Sequence, residues 1–219
     1  FTPNPSMAPN PTPILRFAYV DNLETIIRGS GLHAPNHVPD NGLPYRACHD
    51  SEVQSNRANV SIPVGPGGTI HDYVPFYFGY LSPMMFKLKT GQVMGYNEGQ
   101  DPLIYLVSTA QAVEAAGLEF VFSDGHGLAR FTDWFDDLIH LDAVDWTMVN
   151  QRYWADKLED MDRQRRKQAE FLVYKCCPWE LIREIVVVNA TMKQRVESIQ
   201  AAFPAAQRRV VTINGGWYY

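Results

Sequence analysis

Gln168-Ala169-Glu170-Phe171-Leu172-Val173-Tyr174 is the stretch on which the fold turns. A charged run, Asp156 to Gln168, ends here and an apolar, β-prone segment begins. Glu170 stands alone at the entrance to that strand. An ionised carboxylate among Phe, Leu and Val is costly unless something hydrogen-bonds it. One reading is a strand-end carboxylate facing water or pairing with Arg165 or Arg166. The other is a functional carboxylate held at a set position.

Working outward, Leu15 to Val20 reads as a strand. Asp21-Asn22-Leu23-Glu24 has the capping-box pattern and opens a short helix to about Arg28, closed by Gly29 and Gly31. Residues 33–68 read as one long loop, a length that is usually functional or mobile. Tyr73 to Tyr80 is aromatic and strand-like, and Leu103 to Val107 is a further strand. Ser108 to Ala116 reads as a helix stopped by Gly117, and Glu119 to Ser123 alternates as a strand. Phe131, Trp134, Phe135, Leu138 and Ile139 fall at helical spacing and predict a helix over Thr132 to His140. Asp156 to Gln168 is expected to be helical and mostly exposed, a solvated face with interleaved charges. Phe171 to Tyr174, Glu184 to Val188 and Arg209 to Ile213 predict strands, with a helix at Met192 to Ala202. Asp142 and Asp145, before Trp146, read as turn caps. The elements mix without regular βαβ alternation, so the fold class expected is α+β.

The chain has 219 residues, 46% of them hydrophobic, enough for one domain with a real core. Residues 1–13, rich in Pro and Asn, are expected to be a flexible leader, and residues 14–219 a single domain. No apolar run approaches the roughly 20 residues of a membrane helix, and no signal-peptide pattern opens the sequence. Cys48, Cys176 and Cys177 have neither zinc-site nor disulfide-framework spacing, so a reducing cytoplasm is expected. His71-Asp72 lacks further ligands at metal-site spacing, and no metal is expected. A net charge of -5 argues against non-specific wrapping of duplex DNA, but leaves room for a local basic groove.

Three separated motifs carry a resemblance. His71-Asp72-Tyr73-Val74-Pro75-Phe76-Tyr77-Phe78 with Ser82-Pro83-Met84, then Ser123-Asp124-Gly125-His126, then Gln168 to Val173 closing on Trp179, resemble the DarT family. That family comprises toxin ADP-ribosyltransferases that use NAD to modify a base in single-stranded DNA. The likeness runs from about Leu15 to Tyr219, and its motifs in order are more specific than any one alone. It implies an ADP-ribosyltransferase-like mixed sheet core with flanking helices.

The resemblance assigns roles residue by residue. Glu170 matches the glutamate that holds a ribose hydroxyl of NAD and stabilises oxocarbenium charge. Tyr77 matches the tyrosine that stacks on nicotinamide; its alternative is a core aromatic beside Phe76 and Phe78. The first-strand position, usually histidine in Thr-His-x-x-Asn-Leu, is Tyr19 here, in Ala18-Tyr19-Val20-Asp21-Asn22-Leu23. Tyr19 and Asn22 are therefore the candidates for the adenosine side of NAD. Arg57 aligns with the arginine beside the target base, where a permanent cation would stabilise the emerging base anion; otherwise it is a loop arginine paired with Glu52. His126 is a candidate for the NAD site, or else a turn residue.

The resemblance further implies NAD as co-substrate, single-stranded DNA as acceptor with thymine the favoured base, a DarG-type macrodomain antitoxin, a monomer, and a role in phage defence or growth arrest. Arg46, Arg57 and the arginines from Arg163 to Arg166 are expected to wall the DNA groove. Two other classes stay open on the residues alone. A glycosidase-type hydrolase would pair Glu170 with a second carboxylate. A non-catalytic single-strand binder would use the aromatics and arginines without an isolated glutamate.

Overall fold

Alternating apolar residues build most of the core as one sheet. The computed structural model describes residues 7–219. Its strands are β1 (Pro13–Tyr19), β2 (Gly31–His33), β3 (Tyr73–Tyr77), β4 (Leu103–Thr109), β5 (Phe120–Ser123), β6 (Trp134–Phe135), β7 (Glu170–Tyr174), β8 (Cys176–Pro178), β9 (Glu184–Val187) and β10 (Val210–Ile213). Eight of them form one sheet in the order β10-β9-β4-β1-β3-β7-β5-β6, and β2 pairs with β8 separately. Every pairing among these strands is antiparallel except β9 with β10. A parallel pair needs a crossover, and the helix Ala190–Ala201 supplies it. The α+β expectation therefore holds.

The helices are α1 (Asn22–Arg28), α2 (Ser51–Arg57), α3 (Pro83–Lys89), α4 (Ala110–Ala115), α5 (Trp146–Val149), α6 (Arg163–Lys167) and α7 (Ala190–Ala201). In α7 the buried residues Met192, Val196 and Gln200 recur every four positions, one stripe of the helix. On the sheet, Phe76 lies opposite Phe171 and Val74 opposite Val173, all fully buried or nearly so, on one face of β3 and β7. Tyr77 and Glu170 are opposite each other on the other face.

Several expectations are corrected. Thr132 to His140 is not a helix: Trp134 and Phe135 pair with Ser123 and Phe122, and a 3₁₀ helix covers Leu138–Ala143. Sheet pairing and the stacking of Phe135 on Phe122, 5.2 Å between centroids, outweigh the helical spacing. The apolar face that spacing predicts is not buried, since Phe131 is 80% and Ile139 76% exposed. Of Asp156 to Gln168 only α6 is helical, and it is not a solvated face. Lys167 is 2% exposed and donates through Nζ to the carbonyls of Tyr80, 2.8 Å, and Val149, 2.6 Å.

The capping box at Asp21 does not form; Asp21 has helical dihedrals and pairs with Arg195 instead. Of the expected leader, residues 1–6 lie outside the described residues, Ala8 packs against the core, Pro9, Asn10 and Pro11 are exposed, and Thr12 and Pro13 join the domain. Thr12 is fully buried, its N–H donates to Gln111 Oε1 at 2.8 Å, and Pro13 opens β1. Asp145 caps α5 as expected, accepting from the Met148 N–H.

Candidate active site

Glu170 is the first residue of β7, 3% exposed, directly opposite Tyr77 on β3. Its backbone N–H donates to Ser123 Oγ at 3.2 Å, and that hydroxyl donates to the Gly125 carbonyl at 2.7 Å. The strand start is thereby tied to the end of β5. The carboxylate is held from two further sides. Arg57 Nη1 donates to Oε1 at 2.9 Å and Nη2 to Oε2 at 2.7 Å, a two-pronged ion pair. The Gly127 N–H donates to Oε1 at 3.2 Å.

Gly127 sits in close quarters: a Cβ there would lie 2.9 Å from Ile70 Cδ1, 3.3 Å from the Trp134 ring and 3.5 Å from Glu170 Oε1, so a side chain would have to displace the Ile70 methyl.

Arg57 reaches Glu170 because α2 ends beneath the site. Asp50 caps that helix, its side chain accepting from the Glu52 and Val53 N–H groups. Arg57 is the last residue of the helix and 6% exposed. Its ion pair is with Glu170 rather than with Glu52, the local alternative. Burial pushes Glu170 up, but the charge and hydrogen bonds of Arg57 outweigh that and hold its carboxyl below the usual range. Burial lowers Arg57, and Glu170 more than reverses this, so the guanidinium stays charged.

His126 completes the group. Burial and the charge of Arg57 lower its pKa, while Glu170 opposes them, so the imidazole is neutral near pH 7. Its backbone N–H donates to the Arg165 carbonyl at 3.0 Å, tying the turn after β5 to α6. Its carbonyl accepts from Thr132 Oγ1 at 2.8 Å, which fixes the other side of that turn.

Tyr77 is half-buried and stacks on Phe17, 6.3 Å between centroids and 13° from parallel. Burial and the Glu170 charge raise its pKa, so it stays a neutral phenol. One face of its ring is thus covered by Phe17.

Tyr19 and Asn22 form a second cluster at the far end of β1. The Tyr19 hydroxyl donates to Glu98, which also pairs with Arg46, and the Arg46 guanidinium lies 4.0 Å from the Tyr19 ring centroid. Asn22 exchanges two 2.7 Å hydrogen bonds with the Arg46 backbone. The structure thus joins Glu170, Arg57, His126 and Tyr77 in one group, and Tyr19 with Asn22 in another.

The arginines expected to wall the groove are all paired within the chain. Arg46 is engaged by Glu98. Arg165 pairs with Asp162 at 2.7 Å and Asp124 at 2.8 Å, and Arg166 pairs with Asp145 and Asp160. Arg163 donates to the Ala155 and Tyr153 carbonyls. Arg165 and Arg166 are each held by one aspartate of their own segment and one from elsewhere in the fold. His71 and Asp72 are likewise occupied: His71 faces Gln54, and Asp72 receives Thr69, Asn36 and His37.

Sequence reasoning passed over Ser123, Gly127 and Glu98. The first lies inside a quoted motif, Ser123-Asp124-Gly125-His126. Glu98 carries no local signal, because its partners come from β1 and the long loop.

A buried, ionised glutamate opposite a tyrosine on a mixed sheet is the arrangement of an ADP-ribosyltransferase, and the fold agrees. Residues 15–219 match the model of the family described as "ssDNA thymidine ADP-ribosyltransferase, DarT". The chain belongs to the DarT family. A DNA ADP-ribosyl transferase of Thermus sp. (strain 2.9) is 43% identical over 211 residues, spanning 96% of this chain and 98% of the relative. The solved structure of Thermus sp. 2.9 DarT with ADP-ribosylated ssDNA superposes with a TM-score of 0.91 at 41% identity, covering 99% of this chain and 100% of that one. The same Thermus protein with NAD+ gives a TM-score of 0.86 at 41% identity, covering 97% and 100%.

Proposed function

We propose that this chain transfers ADP-ribose from NAD to thymine in single-stranded DNA, releasing nicotinamide. The observation that carries the reading is the Glu170 carboxylate: ionised, almost wholly buried, and opposite Tyr77. The Thermus relative, solved with NAD+ and with ADP-ribosylated ssDNA, supports it.

The chemistry follows from the donors on the carboxylate. Breaking the bond between nicotinamide and ribose places positive charge on the sugar, and a fixed carboxylate stabilises it. A carboxylate offers about four acceptor positions. Oε1 accepts from Arg57 and Gly127, whereas Oε2 accepts from Arg57 alone. A ribose hydroxyl takes the remaining position on Oε2. Because Glu170 is 3% exposed, the segment carrying Arg57 has to move aside to admit NAD. Tyr77 offers its other face to nicotinamide, and Tyr19 with Asn22 borders the adenosine end. Arg57 then stands between ribose and base. There its charge stabilises the negative charge that develops on thymine as the ring nitrogen bonds to the ribose carbon freed of nicotinamide and its imide proton passes to solvent.

The hydrolase reading fares worse, because the groups around Glu170 among the described residues are a guanidinium, an imidazole and an N–H, with no second carboxylate. Toxin activity countered by a macrodomain antitoxin, a part in phage defence, a monomeric state and residence in the cytoplasm belong to the same proposal. Among the described residues no helix is long and apolar enough to cross a membrane.

The test is incubation with NAD and a set of short oligonucleotides, each lacking one base, followed by intact mass. Addition of one ADP-ribose to every oligonucleotide except the one without thymine is expected. Modification of that one, or of none, would overturn the reading.

A further inference from the structure

β3 and β7 stop pairing at Tyr77 opposite Glu170, the last pair of their register. Lys167 precedes Glu170 by three residues and Tyr80 follows Tyr77 by three, so these two positions continue the register just beyond that pair. There the Lys167 side chain takes over from the backbone ladder. Its Nζ donates to the Tyr80 carbonyl at 2.8 Å, and to the Val149 carbonyl, at the end of α5, at 2.6 Å. Among the described residues neither carbonyl receives a backbone N–H.

The turn that Lys167 grips is held against its own preference. Leu81 has φ 55°, a left-handed conformation that a leucine keeps only where its surroundings impose it. A Cβ on Gly79 would meet the Val149 carbonyl oxygen at 2.1 Å, so α5 abuts the turn directly. Tyr219 grips the same turn, its hydroxyl donating to the Leu81 carbonyl, and the Trp217 ring stacks on Tyr80 at 5.3 Å between centroids. An ammonium is a costly clasp for an interior. Lys167 is 2% exposed, and among the described residues no carboxylate offsets its burial. What a lysine adds here over a methionine of similar length is its N–H donors.

We propose that Lys167 is a positioning residue for the transfer. With Tyr219 it fixes the turn after Tyr77, extends the β3–β7 pairing beyond its last backbone pair, and so keeps Tyr77 and Glu170 at the spacing the donor requires. The proposal rests on the reading of those two residues as the NAD site. Lys167 touches neither donor nor acceptor and acts through the backbone on either side of it. A misplacement of about 1 Å from such a distance can cost roughly a hundredfold in rate.

The test compares wild type, Lys167→Met and Tyr219→Phe by steady-state kinetics in NAD and in a thymine-containing oligonucleotide, at a temperature well below the melt of each protein. Lys167→Met keeps the length of the side chain and loses the N–H groups. Its kcat should fall at least about tenfold, while the KM for oligonucleotide changes less than about threefold. Tyr219→Phe frees the Leu81 carbonyl and leaves the buried amine in place, and should lower kcat by a smaller factor, about threefold. An unchanged kcat in folded Lys167→Met, with only its melt lowered, would make the lysine a packing residue and overturn the proposal. A raised KM for oligonucleotide at constant kcat would overturn it too. If Lys167→Met does not fold, Tyr219→Phe carries the test, and there an unchanged kcat overturns the proposal. Failure of the wild type to transfer ADP-ribose at all would instead bring down the reading of the site itself.

Discussion

Arg57 and Glu170, 113 residues apart, close a two-pronged ion pair at 2.9 and 2.7 Å on the inner face of the sheet. Both are nearly inaccessible, so neither charge can be removed without leaving the other buried. That dependence shapes the outcome of every substitution at the site.

Glu170→Gln is predicted to slow ADP-ribosyl transfer at least about a hundredfold, the scale for loss of one preorganised electrostatic group. It keeps the volume and an acceptor, so the protein should still fold. Glu170→Ala should be equally inactive but also unstable, because it leaves the Arg57 cation buried and unpaired. Rates for both variants, read with their thermal melts, check this. A near wild-type rate in Glu170→Gln would remove the carboxylate from the mechanism.

Arg57→Ala is predicted to cost about 3 to 5 kcal/mol of stability, the range for breaking a buried pair from one side. The double variant Arg57→Met with Glu170→Leu should recover much of that loss, since no lone charge remains. The pair also sets a sign in acid. It depresses the Glu170 pKa, so its stabilisation is complete above the ordinary carboxylate range and is lost as pH falls through the lowered value. Urea melts of the single and double variants decide the matter. A double variant as weak as the sum of the singles would argue against a coupled pair.

How much of this is legible in the sequence depends on distance along the chain. The strand beginning at Glu170 and the strand carrying Tyr77 are readable, because each is a run of apolar or aromatic residues with a local period. The partner of Arg57 is not. Local reading offers Glu52, five positions away, whereas α2 delivers the side chain across the fold to β7. Likewise the cations at Arg165 and Arg166 read as solvated, because their partners Asp124 and Asp145 come from other segments. The helix expected at Thr132 does not form for the same reason: the partner of Phe135 is Phe122, on β5.

Tyr77→Ala should weaken NAD binding by roughly 1 to 3 kcal/mol, if the values for base–aromatic stacking hold for nicotinamide. Tyr77→Phe keeps the ring and its stacking on Phe17, and should cost far less. Calorimetric titration with NAD separates the two. Equal affinity of the alanine variant and wild type would leave Tyr77 as a packing residue.

Lys167 predicts a pH dependence of stability. Burial pushes its ammonium down to about 7, from the ordinary lysine value. Below about pH 7 both states hold the proton, and the cost of burying it is fully present. As pH rises from there to about 10.4, the folded state has released a proton that the unfolded state keeps, so stability rises. Against Lys167→Met, the wild type should therefore gain stability with pH across that window. Parallel urea-melt profiles for the two proteins would contradict the shift.

The central claim is that the Glu170 site transfers ADP-ribose from NAD to an unpaired thymine. A flipped or unpaired base is needed because the reacting edge is otherwise held in the duplex. The most direct measurement is the initial rate of mass addition to one thymine-containing oligonucleotide, alone and annealed to its complement, with wild type and Glu170→Gln. The account predicts rapid modification of the single strand by wild type, little of the duplex, and almost none by the variant. Duplex modified as fast as single strand, or a variant as active as wild type, would contradict it.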